Sequence, residues 1–183
     1  NQYLDYNLQL KDKYGQVNTP YDFINRMLSI IPTHVFENKN HKWLDVGAGH
    51  GNYSICLFFI LYKSLDKTIP NDMERKRHII QRMIYMIEIN PDNISHLREK
   101  FGNNSNIICE NYLEWNPGIK FDIIIGNPPY NINGTKKVPT NSTSDKKSDG
   151  QTIWCNIVKK NINNYSLFNI TVKNIQTIRQ LLA

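Results

Sequence analysis

Short apolar runs alternate along the chain with longer stretches in which apolar residues recur at helical spacing. The runs are rich in β-branched residues and are bounded by polar or turn residues, which is typical of buried strands. They predict five strands, at residues 43–46, 83–89, 107–109, 121–125 and 167–172.

The intervening stretches predict helices at 21–31, 53–63, 73–82, 91–101, 153–162 and 174–182. For the first helix, Thr19 is the expected N-cap, Pro20 lies in the first turn and Pro32 ends the helix. The stretch at 73–82 is basic as well as amphipathic. Strands that alternate with helices predict an α/β fold with a doubly wound parallel sheet and flanking helices.

The 183 residues are expected to form one domain. Its parts are a helical segment at 1–32, a ligand-binding core at 41–130, a polar loop at 131–151 and a last helix, strand and helix at 152–183. The loop is either an ordinary surface loop or a lid that orders on substrate. The β-hairpin that typically closes such a sheet is missing, so we expect a domain that is incomplete at its C-terminus.

Composition narrows the class of protein. A hydrophobic content of 40% and a charged content of 21% are ordinary for a soluble globular domain, and a formal net charge of +6 mildly favours a polyanionic partner. Cys56, Cys109 and Cys155 form no CxxC pair, so we expect neither a metal site nor a disulfide framework. The apolar run at 55–62 is too short to span a bilayer and no secretory signal is visible. We expect a cytoplasmic, nucleoid-associated or viral protein that is not secreted and binds no membrane.

A glycine-rich turn joins the first predicted strand to the next helix. It reads GxGxG at residues 47–51 and directly follows Asp45 and Val46. Glycines there permit a sharp turn and let a ligand press against the backbone. Because Asp precedes the turn in a strand–loop–helix context, the motif favours S-adenosylmethionine (SAM) over a plain tight turn. Asp45, Gly47, Ala48 and Gly49 are therefore candidate SAM-binding residues.

Polar side chains also follow the second and third predicted strands. Glu88 ends the second strand, where a carboxylate can accept both hydroxyls of a ribose or simply meet solvent. Asn111 and Tyr112 follow the third strand, where an adenine ring would lie, unless they form an ordinary turn. With the glycine-rich turn beside them, we take all three as candidate SAM contacts.

The fourth predicted strand runs into Asn127-Pro128-Pro129-Tyr130. The two prolines fix φ and remove backbone donors, so the chain leaves the sheet as a stiff, extended turn. The Asn127 side-chain oxygen and the Pro128 carbonyl can each accept one N–H, while Tyr130 stacks on a ring. Asn127, Pro128 and Tyr130 therefore form a candidate catalytic set for a planar substrate that carries an NH2 group.

Together these motifs resemble those of the N6-adenine DNA methyltransferases of restriction–modification systems, in the order of their gamma group. The likeness covers roughly residues 14–130 and continues more loosely to the end. It includes a GxxxTP motif at 15–20, whose threonine, here Thr19, helps to hold the methionine part of SAM in that family. The second-strand region also matches and adds Ile89 to the SAM site. The family usually has Asp where this chain has Asn111, although an amide oxygen can accept the same hydrogen bond.

The resemblance implies a Rossmann-like, SAM-dependent methyltransferase domain. It also implies methyl transfer to the N6 amino group of adenine in double-stranded DNA, from a base that is flipped out of the helix. Positioning would be the main catalytic contribution. No target-recognition domain is expected in this chain, so a further domain or subunit would read the DNA sequence.

Other functions stay open at this point. The NPPY motif also occurs in methyltransferases that act on RNA adenine or on protein glutamine. The GxxxTP motif and the polar continuation at 131–135 favour DNA. A catalytically idle SAM-fold subunit that binds nucleic acid or a partner is a third alternative, which the intact NPPY motif disfavours.

Overall fold

Five short strands that all run in the same direction form the sheet of this protein. The computed structural model describes residues 18–128, 156–157, 159–161 and 168–171. Within these ranges the strands are β1 (Trp43–Val46), β2 (Ile84–Glu88), β3 (Asn106–Cys109), β4 (Ile123–Gly126) and β5 (Phe168–Thr171). Each predicted strand is present, and each observed bound lies within about two residues of the predicted one.

The strands are arranged in the order β3-β2-β1-β4-β5, and every neighbouring pair is parallel. The chain moves outward from β1 to β3 and then returns to add β4 and β5 on the other side of β1. In open α/β sheets this reversal creates a ligand-binding crevice at the carboxyl ends of the strands. The predicted doubly wound α/β fold is confirmed, and its crevice lies where β1 and β4 end.

The described helices are α1 (Tyr21–Leu28), α2 (Thr33–Phe36), α3 (Asn52–Ser64), α4 (Asp72–His78) and α5 (Pro91–Phe101). Residues 156–157 and 159–161 are helical as well, within the helix predicted at 153–162. The loop predicted at 131–151 and the helix predicted at 174–182 lie outside the described residues. No helix in the described ranges is long and apolar enough to cross a membrane.

Two predictions about the first helix are wrong. The helix ends at Leu28 rather than at Ile31, and Pro32 precedes the short helix α2, which the apolar spacing did not separate from α1. Thr19 is not the N-cap, because Pro20 occupies that position without a side-chain hydrogen bond. The Thr19 hydroxyl instead accepts a hydrogen bond from the distant Asn127.

The basic stretch predicted as one helix at 73–82 divides into two parts. Helix α4 begins after Asn71, whose side chain accepts a hydrogen bond from the Glu74 N–H. It is followed by a π-helical turn, Ile79–Met83, that leads directly into β2. Ile79 and Met83 are both fully buried, so the wider turn places both of its ends in the core.

Both faces of the sheet are covered, as is usual for parallel sheets. One core contains Trp43 and Ile123 together with apolar residues of α1, α3 and the π-helical turn. The second core contains Leu44, Ile124 and Ile157. Neighbouring residues of β1 thus belong to opposite cores, because side chains alternate along a strand. The polar residues that follow the strands lie outside both cores, at the edge of the sheet.

Candidate active site at the carboxyl edge of the sheet

The glycine-rich turn after β1, residues 47–51, is held against the end of β2. The N–H groups of Gly47 and Ala48 both donate to the carbonyl of Ile87, at 3.0 and 3.1 Å. Gly51 has a φ of 83°, and a Cβ there would lie 2.7 Å from Cδ2 of Leu97. Only glycine fits that conformation and that space, so the turn reaches α3 by a path that the packing of α5 restricts.

Glu88, at the end of β2, holds the middle of this glycine turn. Its Oε2 accepts from the Gly49 N–H at 2.7 Å, and its Oε1 accepts from the N–H groups of Ile89 and Asn90 at 2.9 and 2.8 Å. The residue is only 7% exposed. A carboxylate offers about four acceptor positions, so most of them already stabilise the backbone. A ribose at this place would have to share or displace those hydrogen bonds.

Asp45, in β1 two residues before the glycine turn, is buried. The residue is 1% exposed, and its Oδ2 accepts from the Ser54 hydroxyl at 2.7 Å. Its Oδ1 is buried and has no hydrogen-bond partner among the described residues. Burial raises the pKa of the Asp45 carboxyl to about 7, against the opposing effect of the Ser54 hydrogen bond. The sheet edge therefore contains a buried carboxyl group, one oxygen of which has no hydrogen-bond partner within the described ranges.

Strand β4 approaches β1 closely at its last residue. Gly126 has a φ of 137°, and a Cβ on it would lie 2.5 Å from the Val46 carbonyl oxygen and 3.3 Å from Asp45 Oδ1. The next two residues, Asn127 and Pro128, are half-buried and buried. They therefore leave the sheet directly beside the end of β1. Tyr130, the third predicted catalytic residue, lies outside the described residues.

Thr19 is brought to Asn127 across 108 positions of sequence. The Asn127 Nδ2 donates to the Thr19 hydroxyl oxygen at 3.1 Å, and Thr19 is only 8% exposed. The Thr19 carbonyl accepts in turn from Nδ2 of Asn52, the first residue of α3, at 3.1 Å. Asn52 was not among the residues predicted from the sequence, although its position directly after the glycine turn could have indicated a place in the site. Hydrogen bonds thus link Thr19 of the GxxxTP motif to Asn127 of the NPPY motif and to Asn52, the residue after the glycine turn.

The residues after β3 form a compact turn. The Asn111 Oδ1 accepts from the Leu113 N–H at 3.1 Å, and its Nδ2 donates to Glu114 at 2.8 Å. Tyr112 is 7% exposed, and its hydroxyl hydrogen-bonds to Asn161. In this placement the Tyr112 ring packs in the second core, and its contact with an adenine ring stays a prediction. Asn111 is half-buried at the edge and keeps acceptor capacity for a ligand.

Two further side chains lie near the strand ends, Lys160 at the turn after β3 and Ile89 directly after β2. Lys160 Nζ donates to the carbonyls of Tyr112 and Trp115, at 2.5 and 2.6 Å, and partial burial lowers the pKa of this ammonium. The helical residues 159–161 are thereby attached to the turn after β3. Ile89 is 49% exposed directly after Glu88, so an apolar surface is open beside the carboxylate.

The family model of the Eco57I restriction-modification methylase matches residues 39–177 of this chain. A curated relative from Mycoplasma pneumoniae, described as an uncharacterized adenine-specific methylase, is 34% identical over 85 residues. The alignment covers 44% of this chain and 20% of the relative, so the match spans about a fifth of that protein.

Solved structures of similar fold include a candidate RNA methyltransferase from Pyrococcus horikoshii. It is 14% identical with a TM-score of 0.51, and the likeness covers 98% of this chain and 78% of that one. The M protein of the type I restriction enzyme EcoKI is 18% identical with a TM-score of 0.47, over 63% of this chain and 25% of that one. The likeness to the Pyrococcus structure concerns the fold and supports a Rossmann-like methyltransferase architecture.

Proposed function

Because the chain belongs to the Eco57I restriction-modification methylase family, we propose that it transfers a methyl group from SAM to the N6 amino group of adenine in DNA. The observation that carries the proposal is that Asn127 follows β4 next to the glycine turn that follows β1. A methyl donor held by the turn and an amino group held by Asn127 would meet at one edge of the sheet.

The residues at this edge suit the chemistry of SAM. The buried Asp45 Oδ1, which has no partner among the described residues, is a fitting acceptor or counter-charge for a cationic ligand. Glu88 would face the ribose, and the exposed Ile89 would cover an adenine face. The backbone of Gly47, Ala48 and Gly49 would approach the ligand closely, with Thr19 near its methionine end and Asn111 near its adenine amino group.

Positioning is the catalytic contribution that we assign to Asn127 and Pro128. The Asn127 Oδ1 and the Pro128 carbonyl would each accept one hydrogen bond from the adenine amino group, which favours a more tetrahedral nitrogen with an available lone pair. When bound, SAM supplies a methyl group on a positively charged sulfur, and its transfer leaves a neutral thioether. The amino nitrogen is cationic after transfer, so water can remove its proton and no strong base is required.

The substrate adenine would have to leave the DNA helix to reach Asn127. Flipping a base costs a few kcal/mol, and stacking on Tyr130 would return about 1–3 kcal/mol. In keeping with the family resemblance, we propose that a further domain or a partner subunit recognises the DNA sequence.

Labelled SAM and a mixture of DNA, RNA and protein substrates provide the test. We expect N6-methyladenine in DNA after incubation with the protein, identified by mass analysis of nucleosides and peptides. With the Asn127→Ala variant we expect its rate of formation to be lower by about a hundredfold or more. A label found only in RNA or on glutamine would show that RNA or protein, and not DNA, is the substrate. No transfer to any substrate, together with firm binding of nucleic acid or a partner, would indicate an idle subunit instead.

A further inference from the structure

Asn127 is an amide whose two ends differ in chemistry but hardly in size. If Asn127 is to bind an amino group, its oxygen must face the substrate and its NH2 must face elsewhere. Packing alone discriminates poorly between the two orientations, because the oxygen and the nitrogen occupy similar volumes. The hydrogen-bond partners of the amide therefore decide how firmly it is held in one orientation.

Thr19 is one of these partners. Its hydroxyl oxygen lies 3.1 Å from Asn127 Nδ2 and accepts a hydrogen bond from it, with Oδ1 at the other end of the amide group. Loss of this contact would remove one restraint on the side chain, so Oδ1 would be held less firmly toward an adenine amino group.

Thr19 itself needs support, because it precedes α1 and takes no part in a side-chain cap of that helix. Asn52 supplies the support, since its Nδ2 donates to the Thr19 carbonyl at 3.1 Å. Asn52 directly follows Gly51, where a Cβ would lie 2.7 Å from Leu97 and 3.0 Å from Phe101 of α5. The support therefore comes from the end of the glycine turn, at a point fixed by core packing.

We propose that Asn52 and Thr19 are positioning residues that help to hold the Asn127 amide in place and couple it to the glycine turn. The inference rests on the proposed methyl transfer, because it concerns how Asn127 would present its oxygen to the substrate. It assigns to Thr19 a contact with the catalytic amide in addition to its expected contact with SAM. It also assigns a role to Asn52, which no motif suggested.

Kinetics of matched variants test the coupling. Asn52→Asp keeps the size of the side chain but removes the donor, so we expect kcat to fall about five- to thirtyfold, while the Kd for SAM changes much less. Thr19→Val should lower kcat to a similar extent, and Thr19→Ser should restore it. The double variant should be no slower than the slower single variant, because both substitutions interrupt one path.

Asn106→Ala is the matched control for Asn52. The Asn106 Nδ2 also donates to a backbone carbonyl, that of Ile84 at 3.0 Å, but it lies at the opposite edge of the sheet. We expect this variant to keep wild-type kcat. Wild-type kcat in Asn52→Asp, or fully multiplicative effects in the double variant, would overturn the proposal.

A second measurement needs no methyl transfer. In 15N-labelled protein, the side-chain NH2 signal of Asn127, assigned by its loss in Asn127→Ser, should shift in Thr19→Val and in Asn52→Asp and stay unchanged in Asn106→Ala. An unchanged signal in the first two variants would refute the coupling even if DNA is methylated. Shifted signals in a protein that methylates nothing would preserve the coupling and refute the proposed function.

Discussion

Two carboxyl groups at the same sheet edge have opposite surroundings. Asp45 is buried, one of its oxygens has no hydrogen-bond partner in the described part of the chain, and burial raises its pKa to about 7. Glu88 accepts hydrogen bonds from three backbone N–H groups. Desolvation destabilises a carboxylate, whereas backbone donors stabilise it. We therefore test Asp45 by varying the pH and Glu88 by a substitution that changes its hydrogen bonds.

The raised pKa of Asp45 predicts that the stability of the folded protein falls as the pH rises. Between its ordinary pKa of 3.8 and its folded pKa of about 7, the folded protein keeps a proton that the unfolded chain has lost. Folding is then progressively opposed over that interval, by on the order of a few kcal/mol in total. Thermal unfolding between pH 4 and about 7 should show a larger fall in Tm for the wild type than for Asp45→Asn. Parallel curves for the two proteins would contradict the shift.

Glu88→Gln should weaken both the glycine turn and SAM binding. Glutamine offers one acceptor oxygen, and its NH2 would face backbone donors that are now satisfied by Glu88. We expect a loss of about 1–3 kcal/mol in the free energy of unfolding and at least a tenfold rise in the Kd for SAM, measured by calorimetry. The exposed Glu74→Gln is the control. Wild-type SAM affinity in Glu88→Gln would exclude Glu88 from the SAM site.

Asn127→Ala separates chemistry from binding of the methyl donor. We expect methyl transfer to fall about a hundredfold or more, as when a preorganised hydrogen bond is removed from a transition state, with the Kd for SAM nearly unchanged. Single-turnover methylation and calorimetry on the same preparation measure the two quantities. Turnover at the wild-type rate would refute the mechanism.

Among the elements, the segment between α3 and β2 differs from the predicted secondary structure, because one predicted helix is divided into α4 and a π-helical turn. Arg75 of α4 is buried and donates to the Ile69 carbonyl at 2.9 Å, while its guanidinium lies 4.3 Å from the centroid of the Tyr62 ring. These contacts attach α4 to the end of α3 and place the π-helical turn ahead of β2. A buried guanidinium thus holds in place α4, a helix in which five of the seven residues are charged.

Arg75→Lys should lower the free energy of unfolding by about 1–3 kcal/mol, because an ammonium cannot reproduce the planar contacts of the guanidinium. Arg77→Lys, on an exposed position of the same helix, should change it by less than about 0.5 kcal/mol. Urea unfolding compares the two. Methyl transfer below the unfolding transition should be unaffected, because Arg75 lies near the end of α3 and the candidate site near its start. Equal stability of both variants would contradict the role of Arg75.

For the molecule as a whole, the strand order decides where chemistry can take place. The reversal at β1 and β4 brings the glycine turn and the Asn127 turn to adjacent strand ends. The family match over residues 39–177 spans both turns and confirms the resemblance to restriction–modification methyltransferases. Both turns of the candidate catalytic crevice thus lie within the part of the chain that the family model matches.

Local sequence determined the element order, the glycine turn and the polar residues at the strand ends, because periodicity, glycine and proline act over a few neighbouring positions. Tertiary structure alone decided that Thr19 contacts Asn127 rather than capping α1, that Asn52 supports Thr19, and that Tyr112 is buried against Asn161. These partners are 33 to 108 positions apart in sequence. Their meeting depends on the strand order and on competition for hydrogen-bond partners across the whole fold, which no local pattern encodes.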